Sequence, residues 1–199
     1  DLTDADALSS ALVRKAVVDG RTVHYPTPTK ELAAELEARS AAGGETALAA
    51  LRHLAEARRE LGDLAGAEEA LSRWAAGSGG GAWAEAASWG ARYRRWPFAF
   101  SAATSAIGSD APETLRRSVA TERIGWADAD PSLADPLALR AERAALFPSD
   151  AAYVEEWIRA LEKAGKLKEA DAALRSAQAL PEETRLLVLS DLKGDHGDA

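Results

Sequence analysis

The sequence predicts an all-α fold, an α-solenoid of stacked antiparallel helical hairpins, and three features predict it. Alanine and leucine dominate, while β-branched residues are few outside the first 25 positions, a composition that favours helix over strand. Apolar residues recur at helical spacing, as at Leu32 and Leu36 and along Leu48, Leu51, Leu54, Ala55 and Leu61. Short glycine- or proline-bearing joints separate these stretches. "ELGDLAGAEEAL", residues 60–71, is the clearest. Two glycines in a run of strong helix formers would each cost about 1 kcal/mol inside one helix, so they mark a turn between two.

Residues 1–28 read as an N-terminal extension. "DLTDADALSSALVRKA" predicts a short helix capped by Thr3 or Asp4. The following "AVVDGRTVHYPTP" predicts extended chain or a β-hairpin turning at Asp19-Gly20. Residues 29–193 read as helical repeats. Thr29 caps a helix that Gly43-Gly44 ends; the next closes at Gly62-Asp63, and a third runs from Leu64 to about Ala76, where "GSGGG" reads as a flexible linker. "AWAEAASWGARYRR" then turns at Trp96-Pro97 into "FAFSAATSAIG", and Asp110 and Pro112 start a helix carrying Leu115, Val119 and Ile124. "DADPSLAD" is a loop, Asp135-Pro136 opens a helix running to Phe147, and Ser149 caps "DAAYVEEWIRALEKA" up to Gly165. "LKEADAALRSAQAL" follows as far as Pro181, and residues 194–199 form a flexible end or the start of a truncated repeat turn, with Gly194-Asp195 at the turn and Ala199 after it.

The joint at Gly62 recurs. "GDLAGAEEAL" (62–71) and "GKLKEADAAL" (165–174) share Gly, Leu, Ala, Ala and Leu at matching places 103 positions apart, close to three periods of 34. On these residues the chain resembles the tetratricopeptide repeat (TPR) family over roughly positions 48–184, with hairpins about 48–81, 83–116, 117–150 (degenerate) and 151–184. With Gly62-Asp63 at the family's turn, Leu51, Leu54, Ala55, Ala67 and Leu71 fall on its apolar positions and Arg58 departs from them. With Gly165 there, Val154, Trp157, Ile158, Leu161, Ala170, Leu174 and Ala177 fill all of them. Between the two, Trp89, Gly90, Tyr93 and Ala102 match with Pro97 in the turn. In the degenerate unit Pro136 stands where alanine is usual. Gly66 has no counterpart, since Glu169 takes its place, and reads as a tolerated residue in the first turn of its helix.

The resemblance implies a concave groove that binds a peptide or protein, contacted from the first helix of each hairpin. The arginines it points to here are Arg52, Arg59, Arg94, Arg95 and Arg159, alongside Glu56, Glu60 and Glu155; Trp83 and Trp96, which fall at helix ends, join them as candidate contacts. Arginines among small alanines imply an acidic partner, because guanidinium pairs bidentately with carboxylate. The asparagines with which some TPR domains clamp a C-terminal carboxylate do not occur in this chain. Trp89 and Trp157 fall on packing positions and read as core.

Composition argues against other functions. A formal charge of −8 without a basic run disfavours nucleic acid as a partner. There is no cysteine; His24, His53 and His196 are scattered without metal-ligand spacing; and no nucleophile elbow or phosphate loop is present. The expectation is therefore a chain with no catalytic residues, cofactor or metal. No apolar run approaches the roughly 20 residues of a membrane span. The chain begins without methionine, which favours a secreted or periplasmic product over a cytoplasmic one. The expected function is a protein-interaction scaffold. The alternatives are a helical accessory domain of a larger secreted or periplasmic enzyme, and self-association through the open ends of the repeat stack.

Overall fold

Ten helices follow a two-stranded ribbon in a computed structural model that describes residues 13–18, 21–26, 30–41 and 43–194. The predicted Thr3/Asp4 cap, the Asp19-Gly20 turn, the Thr29 cap and the end beyond Gly194 lie outside the described residues. β1 (Val13–Val18) pairs antiparallel with β2 (Arg21–Pro26), Val13 opposite Pro26 and Val18 opposite Arg21. The expected N-terminal helix therefore does not extend to Ala16, where β-branched valines continue the strand.

The helices are α1 (Lys30–Ser40), α2 (Gly44–Glu60), α3 (Leu64–Ser78), α4 (Gly80–Arg92) and α5 (Trp96–Ile107), then α6 (Glu113–Ala129), α7 (Pro136–Leu146), α8 (Ala151–Lys163), α9 (Leu167–Ser176) and α10 (Glu182–Gly194). Helices next to each other in sequence pack together within α1–α5 and within α7–α10. The chain divides into two compact units, 1–116 and 117–199, and the boundary falls in the first turn of α6.

In the first unit the core is built from small residues: Ala50, Ala67, Ala70, Ala75, Ala86, Ala99, Ala103 and Ala106 are fully enclosed beside Leu36 and Leu54. Alanine at these positions lets helices approach closely. The extreme case is Gly90 in α4, where a Cβ would stand 2.9 Å from the Cα, Cβ and N of Ala99 in α5.

The joints are built alike. At Gly62 (φ 82°) the backbone is left-handed; its N–H donates to the Arg59 carbonyl at 3.0 Å and that of Asp63 to Arg58 at 2.8 Å. Gly165 (φ 71°) repeats this with Glu162 at 2.8 Å and Lys166 to Leu161 at 2.9 Å. Both are Schellman caps, which satisfy the orphan carbonyls at a helix end. A third copy sits where no glycine marks it. Arg94 (φ 57°) donates to Ala91 at 3.1 Å and Arg95 to Gly90 at 2.8 Å. The turn of this pair thus falls at Arg94, not at Trp96-Pro97; Pro97 lies in the first turn of α5, where a missing N–H costs nothing. An L-residue in the left-handed region costs about 1–2 kcal/mol, so Arg94→Gly is expected to stabilise the protein by about 1 kcal/mol in urea unfolding. An unchanged or lowered midpoint would show that Arg94 is not held in that conformation.

Two expectations about glycine are corrected. The "GSGGG" stretch is not an open linker, because α3 runs to Ser78 and α4 begins at Gly80 with only Gly79 (φ 89°) between them. A Cβ on Gly80 would come within 2.5 Å of the Ala111 nitrogen, and the Gly80 N–H donates to Asp110 Oδ1 at 3.2 Å. Gly66, in turn, makes room for Arg58. A Cβ there would sit 2.9 Å from Arg58 Cδ and 2.1 Å from Asp63 Oδ2. Asp63 caps α3 by accepting from the Gly66 N–H at 2.9 Å. Arg58, at a position where the repeat pattern expects an apolar side chain, donates to the Gly66 carbonyl at 3.0 Å and to Glu37 at 2.8 Å, tying α1, α2 and α3 together.

The second unit has an aliphatic core, Ala144, Val154, Ile158, Leu161, Ala170, Leu174, Leu180 and Val188, shared by α7 to α10. Asp135 and Asp150 cap α7 and α8; the latter cap lies one residue beyond the expected Ser149. Arginines join α6 to α7 and α8. Arg123 meets Glu142 at 2.9 Å, Arg140 meets both Asp128 oxygens at 3.0 and 2.7 Å, and Arg117 pairs with Asp150. The Arg140 hydrogen bonds hold the Asp128 carboxyl below the usual carboxylate range.

Candidate functional site

The residues that the sequence nominates fall in both units, and the structure gathers the largest group of them on α2, α4 and the joint after α4. Arg52 and Arg59 lie on α2, Trp83 on α4, Arg94 and Arg95 in the joint, and Trp96 opens α5; Arg159 is on α8, in the other unit. Their surroundings differ from a row of unpaired cations.

Arg52 donates to Glu85 of α4 at 2.6 Å, with its guanidinium carbon 5.5 Å from the centre of the Trp74 ring. Arg59 meets Glu56 at 2.7 Å and Glu60 at 2.9 Å and lies 5.1 Å from the Tyr93 ring. Its hydrogen bond to Glu56 holds the Arg59 pKa above its ordinary value, outweighing partial burial. Arg95 pairs with Glu68 of α3, and Arg159 with Glu155 at 2.9 Å. Each of these four arginines is thus matched by a carboxylate of its own chain, and such exposed pairs add little to stability. Arg94 differs: among the described residues, neither it nor the exposed Arg92 makes an ion pair. Trp83 and Trp96 are half-buried.

α2, α3 and α4 enclose a recess of about 270 Å³, lined by Arg52, His53, Glu56, Leu71, Glu85 and Trp89. Leu71 and Trp89 are buried, whereas the Arg52 and Glu85 side chains are 58% and 50% exposed, so the recess has an apolar base and a charged, wet rim. Trp89 also packs against Tyr93, ring centres 4.9 Å apart, and edge-on against Phe98 at 5.9 Å. Its indole N–H is buried without an acceptor among the described residues.

Glu85, and the roles of the Trp74 and Tyr93 rings as platforms for Arg52 and Arg59, were not singled out in the sequence. One signal for Glu85 was available. It lies 33 positions after Arg52, about one repeat period. The same spacing recurs in Arg73 with Ser40, 2.8 Å apart, and in Arg117 with Asp150.

Among the described residues no cluster of His, Asp and Glu has the arrangement of a metal site, and no helix is long and apolar enough to cross a membrane. No family model matches the chain, and no curated protein or solved structure is significantly similar to it.

Proposed function

We propose that this chain is a TPR-like scaffold whose helices pair into antiparallel hairpins and whose first helices, α2 and α4, present the surface that binds a protein or peptide. The observation that carries the reading is the gathering of aromatic rings and charged pairs from α2, α3 and α4 around one recess. Interfaces favour such mixtures of aromatic and arginine side chains. Two further observations support the hairpin assignment: the same cap geometry at Gly62, Arg94 and Gly165, and side-chain bonds that span 33 positions. A hairpin alone leaves an apolar face wet, so pairs must stack, and stacking creates an extended surface suited to another chain.

The test is an affinity capture from the source organism, with bound proteins identified by mass spectrometry. Arg92→Glu combined with Arg94→Glu is compared with wild type and with Lys168→Glu in the other unit. Arg92 and Arg94 are chosen because their replacement breaks no ion pair among the described residues. The expected result is a protein retained by wild type and by Lys168→Glu but reduced at least about tenfold by the double variant, roughly 1.4 kcal/mol of binding, with unchanged helicity. Equal capture by all three refutes the assignment to this surface.

A further inference from the structure

The recess between α2, α3 and α4 has a chemistry more specific than a generic groove. We infer that it takes a basic side chain, lysine or arginine, of a partner peptide; this inference rests on the binding surface proposed above. At about 270 Å³ the cavity lies just below the roughly 300–1,000 Å³ of small-molecule sites, a size suited to one long side chain.

The same face already holds a guanidinium twice, each time between an aromatic ring and a glutamate: Arg52 between Trp74 and Glu85, Arg59 between Tyr93 and Glu56. The recess offers the same elements a third time, with Trp89 and Leu71 for an aliphatic stem and the half-exposed carboxylates of Glu56 and Glu85 at the rim for a cationic head. A carboxylate has more acceptor sites than one guanidinium uses, so Glu56 and Glu85 can accept from a second cation while keeping their first.

Local charge points the same way. Of the carboxylates and guanidinium lining the recess, Arg52 stands against Glu56 and Glu85, one carboxylate in excess, within a chain of formal charge −8. Within the recess that excess favours a cation over an anion, whereas Arg92 and Arg94 lie outside its lining. An acidic side chain would have to displace Glu85 from Arg52 and lie beside Glu56.

The experiment uses the full chain labelled with ¹⁵N and follows the indole N–H resonance of Trp89, assigned by its loss in Trp89→Phe. The probes are three N-acetylated, C-amidated pentapeptides, alanine at four positions and lysine, norleucine or glutamate at the centre. The lysine peptide is expected to shift the resonance saturably. The norleucine peptide, with the stem but no charge, should bind at least about fivefold more weakly, in line with roughly 1 kcal/mol for a partly exposed cationic contact, and the glutamate peptide should not bind. Glu56→Gln with Glu85→Gln should weaken the lysine peptide about fivefold or more and leave norleucine unaffected. A glutamate peptide that binds as well as lysine, or a lysine response that survives both Gln substitutions, overturns the inference. Should the double variant fail to fold, the three peptides on the wild-type chain decide it. Loss of the lysine response together with an intact, Arg92- and Arg94-dependent capture removes this subsite and leaves the wider binding surface standing.

Discussion

Gly90→Ala is expected to destabilise the protein by about 1–3 kcal/mol, the range for overpacking a tightly filled site. Helix propensity alone predicts the opposite sign, since alanine is better than glycine in a helix interior by about 1 kcal/mol. The contact decides the outcome. The new Cβ would lie 2.9 Å from three atoms of Ala99, two of them backbone, so relief requires α5 to move away from α4 rather than one side chain to rotate. Gly125→Ala in α6 is the control. Gly125 is exposed, and a Cβ there meets nothing within 4 Å, so the propensity gain of about 1 kcal/mol should appear undiminished. Urea unfolding followed by circular dichroism reads both. Stabilisation by both substitutions would mean that α4 and α5 do not approach at Gly90.

Arg143→Ala is expected to cost about 3 kcal/mol in the same measurement. Arg143 is the largest fully buried side chain among the described residues, at 2% exposure, and it bonds to Glu156 at 2.5 Å and to the Thr121 hydroxyl at 3.1 Å. Its guanidinium carbon also lies 4.1 Å from the centre of the Tyr153 ring. Truncation removes this packing and leaves a cavity between α6, α7 and α8. Arg143→Met keeps most of the volume and removes the charge that burial penalises, and Glu156, 45% exposed, retains Arg140 at 3.2 Å and water. The methionine variant should therefore lose less than about 1 kcal/mol, as buried ion pairs replaced by apolar volume often do. Equal losses for both variants would assign the effect to the charge pair rather than to packing.

Gly90 and Arg58 show what a linear reading misses. Gly90 matched a repeat position on spacing alone, but its partner Ala99 is set by how close α5 comes. Arg58 broke the apolar pattern, and its reason is non-local: it reaches Glu37 of α1 and passes over Gly66 of α3. The "GSGGG" run resembled a linker because flexible joints and close backbone contacts use the same residue. Only Ala111 and Asp110, some thirty positions away, distinguish them. At the candidate site the sequence nominated the arginines; Glu56, Glu60 and Glu155 are their neighbours within the same helix, but Glu85, Glu68 and the Trp74 and Tyr93 rings come from other elements.

By itself the sequence determined the helical class, the positions of most helices, and the joints at Gly62 and Gly165, because periodicity, caps and left-handed glycines act within a few residues. The tertiary structure alone decided that Arg94 turns the chain as those glycines do, that the protein divides into two compact units, and that Arg52 meets Glu85 beside Trp89. The last two depend on groups far apart in sequence whose distance is fixed only when helices pack. The Arg94 turn is closed locally, by bonds to Ala91 and Gly90, but by a residue type that does not mark a left-handed position.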